Sequence, residues 1–96
     1  MKSYKTVKFE DAQQLAKKYP NTFSAPSQKN LDNIQVDTFV KVCVSDERFW
    51  VKVTKIIKDK LCGIIDNDLI FFDIHGLNCG DKINFYKKNI YQILGK

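Results

Sequence analysis

Few residues in this 96-residue chain have chemistry to offer. His75 is the only histidine, and Cys79 follows four positions later. A Cys–His nucleophile pair needs the thiol held against the imidazole and an oxyanion hole nearby. A four-residue spacing aligns two side chains only on a helix, and Gly76 and Asn78 argue against a helix between them. No oxyanion hole is in evidence. Cys43 and Cys62 lie in alternating apolar runs, so the three thiols and one imidazole do not suggest a zinc set. Asp66-Asn67-Asp68 supplies hard oxygen ligands, but the Gly and Glu of a twelve-residue calcium loop are missing. Asp and Asn favour turns for their own backbone reasons. Asp37 and Asp81 read as turn carboxylates near strand starts rather than as an acid–base pair. The glycines are isolated, which excludes a phosphate-cradling loop. No catalytic residue, metal or cofactor is expected, and no reaction is assigned.

Binding residues are easier to find. Glu47-Arg48-Phe49-Trp50-Val51-Lys52-Val53 alternates as a strand, with Val51 and Val53 on one face and Trp50 and Lys52 on the other. A tryptophan beside a cation on an open face is a stacking platform or an interface anchor. The same residue packed beneath residues 9–30 would be a covering contact. Arg48 either grips a partner's carboxylate or phosphate or pairs with Asp66 or Asp68. Arg48, Trp50, Lys52 and Asn67 are the candidate binding residues. Lys41, Lys55 and Lys58 lie on neighbouring segments.

The elements that must position them form one domain across residues 1–96. Apolar residues make 44% of the chain, enough for a single core, and no 18-residue apolar run exists to cross a membrane. The N-terminus has charge but no apolar stretch of a signal peptide. Three unpaired cysteines fit a reducing cytoplasm. Phe9, Ala12, Leu15, Ala16 and Tyr19 form the stripe of an amphipathic helix over 9–19, which Pro20 stops. Residues 20–30 read as a loop. From 31 to 94 the apolar period is two, and tight turns separate short runs. Phe49, Val51, Val53, Lys55 and Ile57 share one face of the second run; Trp50, Lys52, Thr54, Ile56 and Lys58 share the other. Leu69 to Ile74 reads as a fourth run, before Ile83 and Phe85. Leu31, Ile34, Val36, Val40 and Val42 have the same spacing as Ile74, Leu77, Cys79, Ile83 and Phe85. Two copies are too few for a repeat architecture, so the echo predicts two similar strand starts with Asp37 and Asp81 in equivalent slots. The predicted fold is mainly β (α+β): a five-stranded SH3-like small barrel with an N-terminal helix.

Three segments together resemble a known pattern. Glu47-Arg48-Phe49-Trp50-Val51, then Gly63-Ile64-Ile65-Asp66-Asn67-Asp68, then Gly80-Asp81-Lys82-Ile83 are similar to the YegJ-like family of small bacterial proteins. The likeness covers about residues 34–94 and implies a compact β-rich, SH3-like domain with no activity attached. The chain departs from the pattern at Leu69-Ile70-Phe71-Phe72, where the family often has proline.

The formal charge is +5, and Arg48 is the only arginine. Lysine gives diffuse charge, whereas arginine makes the bidentate contacts that read bases and phosphates. The first expectation is therefore a non-enzymatic module, monomer or weak dimer, that binds a protein partner. The alternative is a nucleic-acid-binding module using the lysines near Trp50. A membrane partner is not expected.

Overall fold

The computed structural model describes residues 8–70 and 72–94, with Phe72 described through its backbone alone. The chain runs through α1 (Ala12–Lys18), α2 (Gln28–Asp32), β1 (Phe39–Val44), β2 (Glu47–Ile57), β3 (Lys60–Ile65), α3 (Phe72–His75), β4 (Lys82–Tyr86), a 3-10 turn (Lys87–Asn89) and β5 (Gln92–Ile93). The strands make one antiparallel sheet in the order β4-β3-β2-β1-β5. Among the described residues no ladder joins β4 to β5, so they are its two edges. Inward residues of both edges, Phe85 and Ile93, nevertheless share one core with Val42, Phe49 and Val51. The sheet therefore curls around its own apolar face. Each fully buried Val, Leu, Ile or Phe there contributes roughly 1.5–3 kcal/mol of transfer free energy.

The helix over 9–19 starts later than its apolar stripe suggested. Asp11 is the N-cap, its Oδ1 accepting the Gln14 N–H at 3.0 Å. A short acceptor at that position is what orphan helix N–H groups require. Phe9 is left outside the helix, where its ring meets Phe49 and Phe85 edge-on. The segment 20–30 is not all loop either. Ser27 caps α2 by accepting the Asn30 N–H, and Leu31 is carried into the core.

The strict alternation expected along β2 holds only as far as Val53. The register with β3 shifts between Val53 and Lys55, at a bulge. Beyond it Ile56 packs against the core, while Lys55 and Ile57 are exposed. A bulge adds one residue and so reverses the faces that follow. Here it turns Lys55 outward and sets a partly buried Ile56 against the core. On β3, Gly63 is required by close approach. A Cβ there would collide with Val51 Cγ1 and lie 2.8 Å from the Lys52 carbonyl oxygen.

The echo in the sequence proves structural, but with a corrected register. The Asp37 N–H donates to the Val53 carbonyl, and the Val53 N–H donates to the Thr38 carbonyl. Forty-three residues on, the Gly80 N–H donates to the Ile65 carbonyl, and the Ile65 N–H donates to the Asp81 carbonyl. Asp37 and Gly80 both have left-handed backbone, φ 76° and 88°. Two adjacent residues thus face one on the neighbouring strand, the first of them left-handed, as in a bulge that normally takes glycine. The partner of Asp37 is therefore Gly80, and the partner of Asp81 is Thr38. Ile34 and Leu77, Val40 and Ile83, Val42 and Phe85 are buried as matched pairs, whereas Leu31 is buried and Ile74 exposed.

None of the described residues of 69–74 lies in a strand. Ile70 and Ile74 are 76% and 66% exposed, and the segment leads into α3. The β3 ladder ends because Asn67 Oδ1 accepts the Trp50 N–H at 3.1 Å, a donor that another strand would need. The chain then turns over the end of β2, where Glu47 receives it.

Candidate binding face

The outward face of the sheet is assembled in rows set by strand register. One row carries Lys41 and Trp50 side by side on β1 and β2. The next runs Phe39, Lys52, Ile64, Lys82 across four strands. Beyond the bulge come Lys55, Cys62, Asn84, and then Ile57, Lys60, Tyr86. Every row has a lysine, and aromatic rings stand at two distant corners. None of these outward strand positions holds a carboxylate. Asp37 and Asp66 sit at the rim, just past strand ends; Lys52 Nζ lies 3.6 Å from Asp37 Oδ1, both side chains well exposed. Lys58 is not on this face, because it occupies the β2–β3 turn with left-handed backbone, φ 56°.

Trp50 is half-buried, and the cluster formed by the described N-terminal side chains does not include it. Lys41 Nζ lies 4.6 Å above its ring, a geometry in which the ring quadrupole attracts the cation. A shallow hollow of about 210 Å³ opens beside it, lined by Phe39, Trp50, Asp66 and Leu94. The N-terminal segment covers the adjoining end of the face instead. There Ala12, Leu15, Phe23 and Ala25 pack against Cys43 and Tyr91.

Arg48 belongs to that covered end. Its guanidinium lies 4.3 Å over the Tyr91 ring and 5.9 Å from Phe23, rather than against Asp66 or Asp68. Beneath it the Tyr91 hydroxyl donates to Glu10 Oε1 at 2.6 Å. Burial and the hydrogen bond to Glu10 push the Cys43 thiol up to about 12, and the same two causes raise Tyr91 above its ordinary value. Both groups are held protonated. Asn67 Oδ1 accepts the Trp50 N–H, so this residue shapes the end of the face. Of the four candidates, the structure brings Arg48, Trp50 and Lys52 to one face, with Arg48 and Lys52 exposed and Trp50 half-buried.

The polar pair that the sequence did not reveal is Glu47–His75. The two residues are 28 positions apart, and no motif links them. His75 Nε2 meets Glu47 Oε1 at 2.9 Å with both side chains almost fully buried. The Leu77 N–H donates to His75 Nδ1 at 3.1 Å, and the Ile70 N–H to Glu47 Oε2 at 2.7 Å. Since Nδ1 accepts, the proton of the neutral ring is on Nε2 and points at Glu47. The two bonds to Glu47 tie the 66–78 segment to the start of β2, and the Leu77 bond fixes the ring within that segment. Cys79 is elsewhere, its thiol directed at the Ile65 carbonyl at 3.7 Å. The histidine and this cysteine do not meet. Among the described residues no three His, Cys, Asp or Glu side chains gather as a metal site would need, and no helix is long and apolar enough to cross a membrane.

Comparison with known protein families, curated proteins and solved structures finds no match to this chain.

Proposed function

We propose that the protein is a non-enzymatic binding module whose outward sheet face holds single-stranded nucleic acid. One observation carries the reading. Lys41, Lys52, Lys55, Lys60 and Lys82 share a strand face with Trp50 and Tyr86, and no carboxylate stands among them. A net charge spread over a whole surface says little. Cations sorted onto one face, with acids confined to its rim, make a field that attracts a polyanion. Lysines would neutralise phosphates while bases stack on the rings, a sequence-tolerant mode that does not need arginine. The weak Lys52–Asp37 contact is one a phosphate would replace.

The strand order and the 3-10 turn before β5 support an SH3-like barrel as the frame, and the three YegJ-like motifs agree with it. In that frame β1–β4 present one continuous outer surface.

The test is titration of a fluorescent oligonucleotide of about 12 nucleotides at low and moderate salt. Binding should weaken with a log–log slope of about −0.7 for each phosphate neutralised. Trp50, the only tryptophan, should report base stacking as a change in its own fluorescence. No binding at low salt, or binding unaffected by joint Lys52→Glu and Lys82→Glu substitution, discards the reading.

The protein-partner reading keeps one observation of its own. Ile70 and Ile74 expose apolar surface on a segment that hydrogen-bonds Glu47 at Ile70 and His75.

A further inference from the structure

The edge of β4 is the least finished part of the sheet. Asp81, Ile83 and Phe85 turn their backbone groups toward β3, as the Ile65–Asp81 bond and the register require. Lys82, Asn84 and Tyr86 then turn theirs outward. The Tyr86 N–H is taken by Asn89 Oδ1 at 2.8 Å. The backbone N–H and C=O groups of Lys82 and Asn84 meet no partner among the described residues. Alongside this edge runs a groove of about 670 Å³, with Phe9 and Phe85 in its wall and Asn84 and Tyr86 on the β4 side. That volume lies within the range of built ligand sites.

The groove's charges decide what fits. Lys8, Lys60 and Lys88 line it. They outnumber its two carboxylates, each of which turns an oxygen to the protein: Glu10 accepts the Tyr91 hydroxyl, and Asp11 caps α1. Unpaired strand groups recruit another strand, and pockets beside such an edge select its side chains. This chain's own strand faces carry lysines, so a second copy of β4 would set like charges together.

We propose that this groove docks an extended acidic peptide from another protein, which adds to β4 as a sixth strand. Its backbone bonds Lys82 and Asn84. Alternate side chains reach the apolar wall and the Lys8–Lys60–Lys88 rim. The inference differs from the nucleic-acid reading in using the backbone edge of the sheet, although Lys60 and Tyr86 are common to both.

The probe is a synthetic peptide of alternating Glu and Val, added to the isotope-labelled full chain and followed by NMR. The amides of Lys82 and Asn84 should shift and become at least tenfold slower to exchange with solvent. A peptide with Lys in place of Glu should bind at least tenfold more weakly, as should the Glu peptide to a chain carrying Lys60→Glu and Lys88→Glu. Both substitutions are at surface positions, so the fold survives them. Three outcomes overturn the proposal: unchanged Lys82 and Asn84 amides, equal binding of the Lys peptide, or self-association through β4 in sedimentation. An oligonucleotide that shifts Trp50 without touching these amides leaves the two readings separate.

Discussion

Thr38 and Asp81 hold the same place in two copies of one turn. Thr38 Oγ1 accepts the Gln35 N–H at 3.3 Å, and Asp81 Oδ2 accepts the Asn78 N–H at 2.9 Å. In each turn the same residue also donates its own N–H, Thr38 to the Gln35 carbonyl and Asp81 to the Asn78 carbonyl. One closes the turn before β1, the other the turn before β4. These strands flank the β2–β3 hairpin on either side, so β1–β4 carry an approximate two-fold relation.

The two closures should differ in worth. Asp81 is buried and uses a charged acceptor; Thr38 is half-exposed and neutral. Asp81→Ala is expected to cost about 1–3 kcal/mol and Thr38→Ala about 0.5–1.5 kcal/mol. Urea unfolding measures both, and an equal or reversed order contradicts the assignment.

Gly63→Ala tests the close approach of β2 and β3. The added methyl group meets backbone at Lys52 and a β-branched side chain at Val51, neither of which can swing away. Overpacking of this kind costs about 1–3 kcal/mol. Val51→Ala in the same chain should recover part of that loss, and a double mutant no better than the sum of its parts would show that the clash lies elsewhere.

The sequence made the sheet legible where period two coincides with burial. Val40 to Val44, Phe49 to Val53 and Ile83 to Phe85 all face as their alternation predicts. The bulge after Val53 was not legible, because Lys55 and Ile57 continue the alternation by position while breaking it by chemistry. A lysine in a core slot was the available signal. The 69–74 run looked like a strand because apolar runs of that length suit either a strand or a short buried turn. What decided it was Glu47, a distant residue with two acceptors for Ile70 and His75. The candidate face was legible as Trp50 with Lys52. Its extent was not, since only register shows that Lys60 and Lys82 join the same surface.

Glu47→Ala would remove both acceptors at once. The His75 Nε2–H would then be buried without a partner, at about 1–3 kcal/mol, and the part-buried Ile70 N–H would lose its acceptor. The expected loss is about 3 kcal/mol, together with faster proteolysis within 66–78. Glu47→Gln keeps an acceptor and should cost less. Equal losses in the two variants would mean that one acceptor oxygen does not suffice and that both carboxylate oxygens are needed.

Alkaline pH should weaken the fold through Cys43 and Tyr91. Burial, then the hydrogen bond to Glu10, raises the Cys43 thiol from 9.0 to about 12 and raises Tyr91 above 10.0. Both groups are neutral when protonated, so the folded protein favours the protonated form. Below pH 9 the folded and unfolded chains hold these protons equally, and the contribution is fully present. Between 9 and about 12 the unfolded chain releases the Cys43 proton while the folded chain keeps it, and stability falls with pH. Tyr91 adds to the fall from pH 10 upward. Urea midpoints should therefore be level from pH 7 to 9 and decline steadily above. Native Cys43 should also resist alkylation at pH 9 while the exposed Cys79 reacts. Glu10→Gln removes the negative charge that both protons face, so its alkaline slope should be shallower. If Glu10→Gln and the unaltered chain decline in parallel, the shared carboxylate is not what holds those protons in place.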